Sequence, residues 1–239
     1  MSLPLAGRRA LVTGSTRGIG AAIARMLAAA GADVGVVGRR GDEAIAVAKT
    51  LGPSAAAFAA DLNEPSHTEA LVLAATDWTG GAPDILVNSA GTFPCASLEA
   101  QPLAELERAL QLNVKVPFAL AQAFLPAMRA RKSGDIVTIG SVADRAIFAG
   151  NAAYSASKFG VRAMHEVLRA ETRGSGVRVM LVSPSAVDTG IWNAHEAELG
   201  TRFPARREML HVDDVARAVT FALTQPAHVD VDELRLTRS

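Results

Sequence analysis

The sequence predicts an α/β fold in which helices cover both faces of one doubly wound, parallel sheet of about seven strands. Short apolar runs rich in Val, Ile and Leu alternate with longer Ala-rich segments of helical pattern. Near-continuous apolar strands separated by helices are typical of a parallel sheet buried on both faces, and right-handed crossovers give the doubly wound arrangement. The predicted strands span residues 9–13, 34–37, 55–59, 85–88, 135–140, 177–182 and 234–237, and the predicted helices span 18–30, 42–51, 64–78, 103–131, 152–172 and 212–224.

Local signals mark several helix ends. Gly31 follows the first predicted helix at a capping position, and Asp213 and Asp214 lie in the first turn of the last one. Pro126 lies late in the long segment 103–131 and is expected to kink that helix or end it early. No linker, repeat or low-complexity segment is visible, so we expect a single domain over residues 1–239.

Composition narrows the classes of function. With 24 basic and 24 acidic residues the net charge is zero, and no basic stripe is visible, so no nucleic-acid partner is expected. Cys95 is the only cysteine, which excludes an intramolecular disulfide, and the five histidines lack ligand spacing, so no metal site is expected. Arg25 and Asp33 interrupt the most apolar stretch, 21–38, and residues 1–6 are too short for a signal peptide. We therefore expect a soluble, cytoplasmic protein without a membrane partner.

A glycine-rich turn follows the first predicted strand. It reads Thr13-Gly14-Ser15-Thr16-Arg17-Gly18-Ile19-Gly20 and leads into a helix. Glycines let the backbone turn sharply and approach a pyrophosphate, which binds the free N–H groups and the positive dipole end of the helix. Such a turn can also be a simple connection, but its position in the first β-α-β unit favours a dinucleotide site.

The spacing of this turn, T-G-x-x-x-G-x-G, resembles that of the short-chain dehydrogenase/reductase family, and other segments match the family in the same order. Asn88-Ser89-Ala90-Gly91 is similar to its N-N-A-G segment, Asp61-Leu62 to its adenine-contacting pair, and Ser183-Pro184-Ser185 with Val187 and Thr189 to its P-G-x-V-x-T segment. Ser89 and Ser185 depart from these patterns at positions that support the backbone. The likeness extends from about Leu5 to Arg238 and implies a Rossmann fold with a nicotinamide cofactor.

The resemblance and the turn together imply a set of cofactor-binding positions, which come from six separate segments of the chain. They are Gly14, Ser15, Thr16, Arg17, Gly18, Ile19, Gly20, Arg39, Asp61, Leu62, Asn88, Ala90, Gly91, Tyr154, Lys158, Pro184, Val187 and Thr189.

The sequence favours NADP(H) over NAD(H) as this cofactor. A carboxylate about 20 residues past the glycines binds a free ribose 2′-hydroxyl, whereas an arginine accommodates a 2′-phosphate. Arg39 stands 19 residues after Gly20, and no Asp or Glu lies at that strand end. Arg39 and Arg17 are therefore expected to bind the 2′-phosphate through charge-assisted hydrogen bonds, the alternative being two solvated surface arginines.

Four residues are candidates for catalysis. Tyr154, the only tyrosine, and Lys158 are four residues apart, which places them one turn apart on one helix face. A nearby ammonium stabilises a phenolate, so Lys158 is expected to lower the pKa of Tyr154 from its ordinary value of about 10. Ser141 closes a predicted strand at its carboxyl end, where such sheets bind ligands, and its hydroxyl can bond a substrate oxygen. The resemblance implies that Lys158 also binds the nicotinamide ribose and that Asn113 holds a water linking Lys158 to solvent.

The predicted function is that of an NADP(H)-dependent oxidoreductase that interconverts an alcohol and a ketone or aldehyde, with Tyr154 as acid and base. The C-terminal segment 227–238 is similar to those of family members that act on small 3-hydroxy acids and aldehydes. A beta-ketoacyl-carrier-protein reductase is an alternative, although its usual glycine-pair segment is missing. A non-catalytic NADP(H)-binding regulator is an alternative of another class, and the complete set of catalytic candidates argues against it.

Two further features concern the surroundings of this site. The segment 188–208 follows the cofactor-holding stretch and is expected to form a mobile lid over a small-molecule substrate. Arg202, Arg206 and Arg207 make this lid basic, which suits an acidic substrate or reflects a solvated charge run. The helical patterns around 103–131 and 152–169 look apolar on more than one face, and the resemblance implies that they form the interface of a homodimer or homotetramer.

Overall fold

A computed structural model of the chain describes residues 3–239. Met1 and Ser2, which belong to the predicted domain and to the N-terminal segment considered above, lie outside the described residues. Within residues 3–239, none of the helices combines the length and the apolar character that a membrane crossing needs.

Seven parallel strands form one sheet, in the order β3-β2-β1-β4-β5-β6-β7. The chain first adds strands on one side of β1 and then crosses to the other side with β4. This confirms the doubly wound fold and places a topological switch point between β1 and β4, where ligands bind at the carboxyl ends of the strands. The strands are β1 (Arg9–Thr13), β2 (Asp33–Gly38), β3 (Ala56–Ala59), β4 (Ile85–Asn88), β5 (Gly134–Ile139), β6 (Val177–Pro184) and β7 (Glu233–Leu236).

Helices cover both faces of this sheet, as predicted. Side chains alternate across the strands, so that on β1 Val12 faces one hydrophobic cluster and Leu11 faces the other. The first cluster packs under α1, α2 and α7, and the second under α3, α5 and α6. The helices are α1 (Gly18–Ala29), α2 (Gly41–Leu51), α3 (Pro65–Thr79), α4 (Leu103–Leu110), α5 (Val116–Ala130), α6 (Ala152–Thr172) and α7 (Val212–Leu223).

Two predicted helix ends, the end of α1 and the start of α7, are confirmed by hydrogen bonds of the residues that predicted them. Gly31, with φ +98°, adopts the left-handed conformation after α1, and its N–H donates to the Ala28 carbonyl at 2.9 Å. At the start of α7 the Asp214 carboxylate accepts a hydrogen bond from the backbone N–H of His211 at 2.7 Å. Both residues satisfy backbone groups that a helix end leaves free.

The single α-helix predicted over 103–131 is wrong, because the segment is interrupted near its middle. A π-helical turn, Gln111–Lys115, separates α4 from α5. α5 continues through Pro126 to Ala130, so of the two expected effects of this proline, a kink or an early end, the early end is wrong. A proline removes one backbone donor, and α5 keeps its contact with the sheet because Phe124 and Met128, on either side of Pro126, are fully buried.

Burial of Phe124 is expected to contribute strongly to stability. The side chain is 2% exposed, so Phe124→Ala should lower the free energy of unfolding by about 3–5 kcal/mol. Phe221 on α7 is 54% exposed, and Phe221→Ala is the matched control, with an expected loss of about 1 kcal/mol or less. Chemical denaturation of the two variants measures the difference, and equal losses would contradict the assigned packing.

Candidate active site

The glycine-rich turn packs backbone against backbone. Gly14 has φ +65°, and a Cβ atom there would lie 2.8 Å from the Cα of Ala90. A Cβ on Gly20 would lie 2.4 Å from the carbonyl oxygen of Gly14. Side chains are therefore excluded from both positions, and the turn leaves its N–H groups at the start of α1 open to an anion.

Two hydroxyls connect this turn to its neighbours, Thr13 to the segment after β4 and Ser15 to β1 and β2. Thr13 Oγ1 accepts hydrogen bonds from the backbone N–H groups of Ser89 at 3.0 Å and Ala90 at 3.1 Å. Ser15 Oγ donates to the carbonyl of Val12 at 2.7 Å and accepts from the N–H of Val37 at 3.0 Å. Thr13 was not among the predicted binding positions, because its partners lie 76 and 77 residues away.

The buried amide of Asn88 fits a site for a polar ligand. Asn88 is 3% exposed at the end of β4, and neither polar atom of its side chain has a hydrogen-bond partner within residues 3–239. Buried polar groups without partners are costly, so a polar group is expected to bind there. Thr16, Gly18 and Thr189, from two of the predicted cofactor segments, line one cleft of about 440 Å³. The amide without partners and the cleft are both features that a dinucleotide site needs.

The two predicted arginines, Arg17 and Arg39, differ from their neighbour Arg40 in their charged surroundings. A Cβ on Gly38 would lie 2.2 Å from Thr16 Cγ2, so the end of β2 touches the glycine-rich turn, and Arg17 and Arg39 follow these two contacting residues. The guanidinium of Arg40 pairs with Asp42 at 3.3 Å and Glu43 at 3.0 Å. In the described part of the chain, no such carboxylate pairing engages Arg17 or Arg39, and both are exposed.

The predicted adenine-contacting residues lie beside Arg39. Leu62 is buried and Asp61 is half-buried. Burial opposes ionisation of Asp61, but hydrogen bonds from Asn63 and the nearby charge of Arg39 together hold the pKa of the carboxyl group below its usual value. Asp61 is thus an anion at neutral pH.

Lys158 is buried at the carboxyl edge of the sheet. Its Nζ donates a hydrogen bond to the carbonyl of Ile139, the last residue of β5, at 2.9 Å and lies 5.7 Å from the centroid of the Tyr154 ring. Burial lowers the pKa of Lys158 to about 8, and the charge of Asp144 acts in the opposite direction. The predicted pair is therefore brought together, with a lysine that loses its proton more readily than usual.

The pKa of Tyr154 moves against expectation. Burial raises this pKa, the nearby Ser141 hydroxyl lowers it through a hydrogen bond, and the charge of Asp144 raises it. The net direction is upward, whereas Lys158 alone was expected to shift it downward. The sequence did not reveal that Tyr154 is desolvated or that a carboxylate lies close by. Ser141 Oγ also accepts a hydrogen bond from the N–H of Ala143 at 3.1 Å.

Asn113 lies in the π-helical turn and connects two neighbouring segments. Its amide oxygen accepts from the N–H of Thr92 at 3.0 Å, and its amide nitrogen donates to the Thr92 carbonyl at 3.1 Å. The same nitrogen donates to Ser157 Oγ at 2.9 Å, and Ser157 Oγ donates to the carbonyl of Tyr154 at 2.6 Å. Asn113 thereby fixes the segment after β4 to α6, beside the Tyr154–Lys158 pair. Ser157 was not identified from the sequence.

Aromatic rings pack against Tyr154. The Phe93 ring meets it edge-on, with centroids 4.8 Å apart. Phe93 in turn contacts Trp192 at 5.1 Å, His195 at 5.6 Å and Phe203 at 6.1 Å, all three of which belong to the segment 188–208. That segment, which contains the 3₁₀ turn Gly190–Glu198, therefore lies against the candidate site. We call these four residues, Phe93, Trp192, His195 and Phe203, the aromatic cluster.

The arginines of the segment 188–208 are paired with carboxylates. Arg202 lies 2.8 Å from Glu198, and Arg207 lies 3.5 Å from Glu208. Arg206 bridges Asp188 at 2.7 Å and Glu196 at 2.6 Å, which ties the 3₁₀ turn to the segment that carries Thr189. These pairs favour the interpretation as a solvated charge run over that as an acid-binding surface.

Comparison with known proteins identifies the family. A family model described as short chain dehydrogenase matches residues 8–200, and the chain belongs to this family of oxidoreductases. A solved structure of a metagenomic short-chain oxidoreductase in complex with NADP is 33% identical in sequence and has a TM-score of 0.82. The alignment covers 99% of this chain and 100% of that chain.

Two curated relatives differ in length. An uncharacterized oxidoreductase of Staphylococcus aureus is 34% identical over 231 residues, which are 96% of each chain. Glycine betaine reductase of Emericella nidulans is 37% identical over 237 residues, which are 97% of this chain but only 19% of that protein. The chain thus spans about a fifth of the length of this second relative.

Proposed function

We propose that the protein is an NADP(H)-dependent reductase or dehydrogenase that interconverts a small alcohol with its aldehyde or ketone. One observation carries this proposal: Ser141, Tyr154 and Lys158 meet at the carboxyl edge of β5, with the Tyr154 hydroxyl next to Ser141 and Lys158 Nζ bonded to Ile139. A non-catalytic regulator would have no need for a buried lysine beside a half-buried phenol, since burying a charge costs free energy.

In this proposal each residue has a separate task. The glycine-rich turn, Asn88 and Thr189 hold the dinucleotide, and bound NADPH supplies a hydride to the carbonyl carbon. Ser141 orients the carbonyl oxygen, and Tyr154 donates its proton to the alkoxide that develops there. Lys158 replaces that proton. Asn113 keeps the neighbouring segment fixed to α6, and we also propose that it holds a water between Lys158 and solvent.

The segment 188–208 is proposed as the lid of a single catalytic domain. Trp192 Nε1 donates to the carbonyl of Val187 at 3.0 Å, so the lid is anchored to the cofactor segment, while its rings contact Phe93 over Tyr154. We propose that the lid moves when a substrate enters beside Tyr154. Because its arginines are paired, a neutral or cationic substrate suits this lid better than a 3-hydroxy acid or an acyl-carrier thioester.

Removal of one hydroxyl tests the role of Tyr154. Tyr154→Phe preserves the ring that packs on Phe93 but cannot donate a proton, so kcat should fall by about 100-fold or more. Binding of NADPH, measured by fluorescence titration, should persist. A variant that keeps most of its activity would refute the assignment, whereas loss of cofactor binding would mean that the substitution disturbs the site itself.

The cofactor preference depends on Arg39. Arg39→Ala should raise KM for NADPH by about tenfold or more and leave KM for NADH nearly unchanged, because only NADPH loses a charge-assisted hydrogen bond. Arg40→Ala is the matched control, since that guanidinium already pairs with Asp42 and Glu43. Steady-state kinetics with both cofactors measure the effect. A wild-type preference for NADH would contradict the assignment to NADP(H).

A small aldehyde with a quaternary ammonium group is a second, narrower candidate substrate. Aromatic rings bind such cations through their electron-rich faces, and the Arg202 guanidinium already lies 5.2 Å from the centroid of Phe203. Glu198, which pairs with Arg202, adds a carboxylate close to the aromatic cluster. The relative named glycine betaine reductase supports the same class, since its name refers to a trimethylammonium compound.

Inhibition by two alcohols of equal shape tests this candidate. Choline should inhibit about tenfold more strongly than its neutral analogue, in which a tert-butyl group replaces the trimethylammonium group. Trp192→Leu should reduce the ratio of the two inhibition constants because it removes one ring. Equal inhibition by both alcohols would exclude the cationic substrate and leave the general reductase proposal intact.

We also propose self-association and a cytoplasmic location. Leu103 on α4, Phe118 on α5, and Phe159 and Val167 on α6 are exposed and apolar. A second copy of the chain packing on this face would remove these side chains from water, consistent with a homodimer or homotetramer.

A further inference from the structure

Asp144 is a buried carboxylate that the proposed mechanism does not use. It is 0% exposed and ends the 3₁₀ turn Val142–Asp144, three residues after Ser141. Buried acidic residues are rare unless they are paired and hydrogen-bonded. Its position next to the candidate catalytic residues therefore requires an explanation.

Both oxygens of Asp144 are bound by neighbouring elements. Ser183 Oγ, on β6, donates to Oδ2 at 2.6 Å, and the Nε of Arg145 donates to Oδ1 at 2.7 Å. Another nitrogen of Arg145 pairs with Glu233 on β7. The turn after β5 is thus tied to β6 through Asp144 and to β7 through the Arg145–Glu233 pair.

Gly140 shows how tightly this carboxylate is placed. A Cβ atom on Gly140 would lie 2.5 Å from Ser183 Oγ and 3.1 Å from Asp144 Oδ2. Any other residue at position 140, directly after β5, would push the Ser183–Asp144 pair apart. The sequence positions Ser141 and Asp144 on either side of a turn whose geometry depends on this contact.

The carboxylate also acts on the catalytic pair at a distance. Its charge raises the pKa of Lys158 against the effect of burial, and it raises the pKa of Tyr154 as well. Charges interact more strongly in a buried environment than in water, so a fixed anion here stabilises the ammonium and destabilises the phenolate.

We propose that Asp144 is a positioning residue of the reaction, whose carboxylate, held by Ser183 and Arg145, fixes the electrostatic environment of the Tyr154–Lys158 pair. This inference rests on the proposed function, since it assigns a role within the same site. Asp144 contacts neither substrate nor cofactor and acts through the two side chains on α6. Without it, Lys158 would lose its proton at a lower pH and could not replace the proton that Tyr154 donates.

Several charged groups face this carboxylate or the pair it influences. Arg145 lies beside it on the same turn, and Glu233 faces Arg145 from β7. From α6 the facing groups are Tyr154 and Lys158. Ser183, on β6, contributes a neutral hydroxyl. Arg145 offsets part of the negative charge, so its removal should act in the opposite direction to the removal of Asp144.

Asp144→Asn tests the proposal through the pH profile. Since both pKa values fall when the negative charge is lost, the alkaline limb of carbonyl reduction should move to lower pH by about one pH unit. Substrate KM at neutral pH should change little. Asp135→Asn is the matched control: Asp135 pairs with Arg178 at 2.6 Å at the opposite end of β5, so this variant should lose stability without a shift of the profile.

A second readout does not depend on activity. Tyr154 is the only tyrosine, so ultraviolet absorbance during a pH titration of the cofactor-free protein follows one phenol. Asp144→Asn should lower the pH at which the phenolate forms, and Asp144→Glu, which preserves the charge, should restore the wild-type value. Arg145→Gln should move it upward, a change of sign that a folding defect cannot produce.

The outcomes separate this inference from the proposed function. A folded Asp144→Asn variant with an unmoved phenolate titration would overturn the role of Asp144, whatever the enzyme's activity. If Asp144→Asn does not fold, the Arg145→Gln variant decides the question. A phenolate that forms at the wild-type pH or at a lower pH in that variant would overturn the role of Asp144. Expected shifts in a protein that reduces no carbonyl compound would support the electrostatic role and refute the proposed reaction.

Discussion

The site depends on one buried interaction, the hydrogen bond from the Lys158 ammonium to the carbonyl of Ile139. Burying a charged group is costly, and here the last carbonyl of β5 and the field of Asp144 offset part of that cost. The bond fixes α6 against the edge of the sheet. Tyr154, one helical turn earlier, is thereby held next to Ser141, which follows β5 directly.

The topology of the sheet brings the remaining parts to the same edge. The strand order reverses between β1 and β4, and the glycine-rich turn and the segment after β4 meet there through Thr13. The ends of β5 and β6 contribute Ser141 and Ser183. Residues far apart in sequence thus form one cleft because parallel strands place their carboxyl ends together.

The sequence was sufficient wherever a local pattern determines the structure. Strand periodicity predicted the sheet, and contiguous motifs predicted the glycine-rich turn and the Tyr154–Lys158 pair. It failed where the outcome depends on tertiary packing. The π-helical turn at Asn113, the aromatic cluster and the carboxylate of Asp144 arise from contacts between distant segments. The upward shift of the Tyr154 pKa has the same origin, because desolvation is a property of the folded chain and not of a spacing.

Direct titration of Lys158 tests the central claim. Nuclear magnetic resonance of the isotope-labelled side chain, with Lys158→Arg to assign its signal, should show a pKa of about 8, below the ordinary value of 10.5. Such a value requires a buried ammonium, as the contact of Lys158 with the carbonyl of Ile139 provides. A lysine that titrates at its ordinary value would be solvated, and the arrangement on which the proposed chemistry depends would be absent.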